Sequence, residues 1–281
     1  MMIRSMPSPS AALLLVLSLL PLVPADAGAQ RIWRGRSGGY DVAWSAGDVA
    51  ATRVRDGARV LSLARLGEAE WGEMTSAQDP ETDPAELETR YRVLSFVGPV
   101  ISLERFWYCD CRGAHPISMS GFVTYDLSRS TPREARPARA TDYVSEADLH
   151  RALLADRLIR AALDSADVRT PPATLGALLA AIEHQPIEVD GCTYSTGADF
   201  LEHFAFHHLE GGRVALRFSL SHYVEICRGN HTQVGVLVPV SPRLRPDLAA
   251  ADARRAGFLM KDARAVGGNR VTTLSYQPKR R

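Results

Sequence analysis

Between Arg213 and His222 the chain changes character at every residue: Val214, Leu216, Phe218, Leu220 and His222 alternate with Arg213, Ala215, Arg217 and Ser219. A period of two puts the first set on one face of an extended strand and the second on the other, which commits this stretch to a half-buried sheet. Gly211-Gly212 before it supply a turn, so Phe204 to Leu209 is expected to return as its hairpin partner. Thr232 to Val240 repeats the pattern with Val234, Val236 and Val238 on one face.

Upstream, Arg90 to Val97 and Val100 to Cys109 are two strand-forming runs joined by Gly98-Pro99, with a third at Phe122 to Leu127. Shorter strands are expected at Tyr40 to Trp44, Val49 to Val54 and Ala58 to Leu63, the last two around an Asp56-Gly57 turn. Glu68 to Glu88, acidic and broken by Asp79-Pro80 and Asp83-Pro84, reads as a solvated loop. Helical signals are confined to the middle and the end. Ser145 with Asp148 marks an N-terminus, and the apolar residues that follow lie on two sides, so that helix is either buried on both or broken in two. Leu175, Leu178, Leu179 and Ile182 make one stripe, and a short helix follows Pro246, after which the tail from Val266 looks loosely held. Runs of strands interrupted by helices, without βαβ alternation, give an α+β class: antiparallel sheets with two or three helices packed on one side.

The first 29 residues have a different logic. Arg4, an apolar run from Ala11 to Val23 and the small-residue sites Ala25-Asp26-Ala27 and Ala27-Gly28-Ala29 follow the order of a cleavable secretion signal. The apolar run is interrupted by Pro21 and falls short of the roughly 20 residues that cross a bilayer. A periplasmic or secreted protein without an integral membrane segment after cleavage is therefore expected. Export in turn makes disulfides the default for the four cysteines. Cys192 with Cys227 is the favoured pairing, which leaves Cys109 and Cys111 as a short Cys-x-Cys bridge or a thiol pair; pairings that cross between the two groups are the alternative. A net charge of +1 gives no reason to expect nucleic acid as a partner.

Few patterns carry chemistry. His203, His207, His208, His222 and His231 fall within about 30 residues, and a metal-dependent hydrolase would draw its ligands from His203, His207, His222 and His231. No His-Glu-x-x-His accompanies them, nor a Gly-x-Ser-x-Gly elbow, a phosphate-cradling loop or a dinucleotide fingerprint, so no cofactor is implied. The most distinctive segment is Arg112-Gly113-Ala114-His115-Pro116, which leads into the strand carrying Tyr125. His115 reads either as a latch between strands or as a ligand contact.

Those residues also carry a resemblance. Val97 to Tyr108, Gly113-Ala114-His115-Pro116, Thr124-Tyr125-Asp126-Leu127, a helix opening at Ser145, then Phe206 to Tyr223 running through Arg228-Gly229 into Val234 to Pro239 resemble a known extracytoplasmic domain. It occurs in the RsiV-type lysozyme-sensing anti-sigma factor and beside the catalytic domain of PdaC-type peptidoglycan deacetylases. The likeness spans residues 86–245, after a signal peptide (1–29) and a β-rich segment with its acidic loop (30–85), and before a C-terminal helix and tail (246–281). The resemblance implies an α+β binding or accessory module, with a lysozyme-like protein or peptidoglycan as partner; it carries no contact residue onto this sequence, and His115 and Tyr125 are candidate contacts on the reading of the residues themselves. No anti-sigma segment, transmembrane helix or deacetylase domain accompanies it here, and many relatives lack a pair like Cys109 and Cys111.

Overall fold

The computed structural model describes residues 30–75, 84–131, 134–222, 227 and 232–278. The segment read as a secretion signal, Asp79-Pro80 and Asp83 of the acidic segment, Arg228-Gly229 and His231 lie outside them. Four short strands open the chain, β1 (Arg31–Ser37), β2 (Tyr40–Ser45), β3 (Val49–Arg53) and β4 (Arg59–Ser62), and pair in that order as an antiparallel sheet. A helix, α1 (Leu63–Thr75), replaces the loop expected from Glu68 onward. Its start is fixed from another strand: Asp48 accepts the Ala64 N–H at 3.0 Å and the Ser62 hydroxyl at 2.9 Å, so a side chain distant in sequence satisfies the helix end.

The long strands β5 (Glu86–Val97), β6 (Val100–Asp110) and β7 (Ile117–Asp126) form the centre of the molecule as consecutive antiparallel neighbours. After them come α2 (Glu146–Ala155), α3 (Arg157–Ser165), α4 (Leu175–Ile182), β8 (Ile187–Val189) and β9 (Cys192–Ser195). Then follow β10 (Phe204–Glu210), β11 (Arg213–Ser219), β12 (Ser221–His222) and β13 (Gln233–Pro239), and finally α5 (Arg245–Asp252), α6 (Ala263–Gly267) and β14 (Thr272–Tyr276). The expected α+β class with antiparallel sheets is what forms.

Alternation places the core. Tyr91, Val93, Ile101 and Leu103 turn one face of the central sheet toward Val42, Trp44, Val49 and Leu61 of the N-terminal sheet, all of them buried. On the opposite face Leu94 and Phe122 meet Ala205 of β10, and the Thr124 hydroxyl donates to the Phe204 carbonyl. A second apolar cluster joins α2, α3, α4 and α5 to the β10–β11–β13 sheet through Leu149, Leu153, Ile159, Leu178, Phe218 and Val236. Burying a side chain of this size stabilises the fold by about 1.5–3 kcal/mol, which is why the alternating strands are the most legible part of the chain.

The two-sided helix breaks in two. Asp156 is extended (φ −71, ψ 138), ends α2 and caps α3 by accepting from Leu158 N at 2.8 Å and Ile159 N at 3.3 Å. The break lets Leu149 and Leu153 of α2, and Leu158 and Ile159 of α3, all be buried although no single helix face holds them. The C-terminal stretch expected to be loose instead carries α6 and β14, and β14 pairs with β5 at the edge of the central sheet with Thr272 buried completely.

Candidate functional site

His115 and Tyr125 occupy opposite ends of one hairpin. His115 sits in the irregular connection 111–116 between β6 and β7, exposed, with its Nδ1 3.2 Å from the Pro116 carbonyl oxygen. Tyr125 opposes Ile101 near the far end of β7, half-buried against the N-terminal core. Tyr125 lies eight residue steps along β7 from Ile117, on the order of 25 Å, so the two candidates do not share a site. Burial pushes the Tyr125 phenol pKa up, against the opposing pull of Arg105.

The histidines are held by ordinary partners. His203 places Nδ1 at the Phe122 carbonyl oxygen and Nε2 2.8 Å from Asp199. A register shift in β10 between Phe206 and His208 inserts an extra residue opposite β11. Consecutive strand residues normally point to opposite faces, but this bulge brings the His207 and His208 rings together, Nδ1 to Nδ1 at 2.7 Å. His208 then reaches Glu210 at 3.4 Å. Burial first, then Arg217, His208 and Lys261, hold the His207 pKa below the usual imidazole range. His222 lies in β12, paired with Tyr194 of β9. Among the described residues no group of three or more His, Cys, Asp or Glu side chains could hold a metal ion, so the hydrolase reading finds no support there.

Both cysteine pairs lie at disulfide distance. Cys192 and Cys227 are buried in the helical core with Cα atoms 5.7 Å apart, and Cys109 and Cys111 stand 5.2 Å apart at the end of β6. Their effects on the fold differ. A bridge across a separation of 35 removes enough unfolded-state freedom to stabilise the fold by roughly 4 kcal/mol. One across a separation of 2 restricts a chain that local geometry already restricts, and contributes less than half as much by the same loop-entropy reasoning.

A sizeable concavity lies elsewhere. A trough of about 740 Å³ opens where α2 and α3 pass the edge strand β13. Arg151, Arg157, Arg160 and Arg213 line it together with Asp148 and Asp156. Both acids are engaged, Asp148 with Arg151 and Asp156 as the α3 cap. Arg157, Arg160 and Arg213 are exposed and, among the described residues, have no carboxylate within ion-pair distance. At Gly235, which lines the trough, a side chain would collide with the Arg217 guanidinium, 2.1 Å from its β-carbon position, so the missing side chain leaves that cation its place across the strand pair. The sequence held one hint, the spacing of Arg157 and Arg160 on one helix face, but Arg213 reaches them only through the tertiary fold.

Among the described residues no helix is long and apolar enough to cross a membrane. Comparison with protein-family models, curated proteins and solved structures gives no match.

Proposed function

We propose that this chain is an exported, non-catalytic binding module of the cell envelope, and that its ligand is peptidoglycan. The trough carries this reading: three arginines without carboxylate partners line an open groove, an arrangement complementary to a chain that bears several carboxylates. Peptidoglycan stem peptides present such groups at regular intervals, and a planar guanidinium takes a carboxylate through two parallel hydrogen bonds. The N-terminal secretion signal and the cysteine pairs at disulfide distance agree with that compartment.

The test is co-sedimentation of the mature protein with insoluble peptidoglycan. Wild type is expected to sediment and to be released by salt, since exposed charge pairs are screened within a Debye length of about 8 Å at physiological ionic strength. Reversing Arg157, Arg160 and Arg213 to glutamate should weaken binding at least tenfold, about the contribution of one charge-assisted contact. Equal sedimentation of the triple variant removes the trough from the proposal. Failure to sediment, with capture by an immobilised lysozyme-like muramidase instead, would move the partner to the protein that the sequence resemblance also implies.

A further inference from the structure

We infer that the Cys109–Cys111 disulfide is a thiol–disulfide exchange site whose substrates are cysteines of unfolded exported polypeptides. The pair closes a ring over a single residue, Asp110, at the tip of the β6–β7 hairpin, so it does not fasten distant parts of the fold. Its two sulfurs are placed unequally. Cys109 is completely buried, whereas Cys111 is half-buried and begins the irregular stretch in which residues 112–115 are all exposed. An incoming thiolate therefore meets Cys111 first.

A second observation points to the ligand. Cross-strand register puts Trp107 opposite Met119 and Cys109 opposite Ile117, all on one face of the β6–β7 ribbon. Ile117 and Met119 are 47% and 53% exposed, two of three large hydrophobic residues left so open among the described residues. An apolar platform beside a reactive sulfur suits a chain whose own hydrophobic residues are not yet buried. The Cys192–Cys227 bridge has neither property, being enclosed in the helical core.

The step is an ordinary exchange. A substrate thiolate attacks Sγ of Cys111 in line with the Cys109–Cys111 bond; that bond breaks, and its electron pair leaves on Sγ of Cys109, which takes up a proton. The Cys111 mixed disulfide is then attacked at the substrate sulfur by a second substrate thiolate. A substrate disulfide forms and Cys111 leaves as a thiol. Two substrate thiols have been oxidised and one protein disulfide reduced to two thiols. A second disulfide-bearing molecule, such as oxidised glutathione, restores the pair by the same exchange in reverse.

The experiment mixes the oxidised full-length mature chain with a reduced, unfolded disulfide protein, and follows substrate thiols by titration and adducts by mass spectrometry. One dithiol should be oxidised per chain, with Cys109 and Cys111 the residues that become reduced and Cys192–Cys227 reacting at least about tenfold more slowly. Reduced Cys109→Ser, offered an oxidised unfolded protein, should accumulate a mixed disulfide at Cys111, and Cys111→Ser should trap far less at Cys109. Replacing Ile117 and Met119 by serine should lower the rate with the polypeptide relative to that with a small dithiol. Circular dichroism of each variant confirms folding. An unreactive Cys109–Cys111 pair in the folded wild type, equal trapping at the two positions, or an unchanged rate ratio in the serine variant would each overturn the assignment.

Discussion

Nη2 of Arg105, on β6, lies between the two carboxylate oxygens of Glu70, on α1, at 2.7 and 2.6 Å. The same carboxylate accepts the Trp107 indole N–H at 3.1 Å, so one helix side chain ties α1 to two alternate residues of the central sheet. Tyr91 and Tyr125 flank the guanidinium on the same sheet face, and burial pushes both phenol pKa values up.

Removing Glu70 leaves that cation facing two neutral phenols, with its Nε already buried and without a partner. Both side chains are 33% exposed, which limits the penalty. Glu70→Ala should cost about 2 kcal/mol, between the values for surface and for buried pairs. Arg105→Met combined with Glu70→Ala should cost less than the two single changes together, since the double variant buries no unpaired charge. Urea unfolding of the four proteins measures the coupling, and strict additivity would show that the pair is not what joins α1 to the sheet.

Gly257 makes a backbone contact that no other residue can make. Its φ is +76°, and a β-carbon there would stand 1.9 Å from the Phe96 carbonyl oxygen. The neighbouring Phe258 exchanges two backbone hydrogen bonds with Phe96, at 2.9 and 3.0 Å, so the C-terminal segment is docked on β5 at this point. Gly257→Ala must either unseat those bonds or shift β5. Gly39, at φ +81° with nothing near its β-carbon position, is the control, because alanine there meets only the left-handed penalty of about 1–2 kcal/mol. Gly257→Ala should cost at least about 2 kcal/mol more, read as the difference in urea midpoints.

The legible parts of the chain were those whose structure depends on near neighbours. Alternation at Val214, Leu216 and Phe218 reports burial directly, and Ser145 caps the helix that follows it. α1 and β14 escaped for a common reason. The Tyr276 hydroxyl donates to the Ala64 carbonyl at 3.0 Å, and a side chain at Gly67 would strike that hydroxyl, so helix and strand stabilise each other across most of the chain length. Taken alone, one reads as acidic loop and the other as a tail. The trough was hidden in the same way, since exposed arginines look like any solvated face until Arg213 of β11 is brought opposite Arg157 and Arg160 of α3. His115 and Tyr125 stand apart for a local reason, since the extended β7 between them carries one to each end of the hairpin.

His207 gives the fold a pH dependence of known sign. Its folded pKa lies below the unfolded value of about 6.5, because burial and the cations Arg217 and Lys261, with His208 beside it, all disfavour imidazolium. As pH falls through about 6.5 the unfolded chain binds a proton that the folded chain refuses, so stability is full above that pH and declines toward the folded pKa. No carboxylate counts among the causes of the shift, so nothing in the folded state offsets the proton's cost there. Urea midpoints measured between about pH 5 and pH 8 should fall on the acid side, and His207→Gln should remove part of that fall while leaving the alkaline plateau nearly level. The comparison of slopes isolates His207, because every other histidine is common to both proteins. Parallel curves would show that the imidazolium is tolerated beside Arg217.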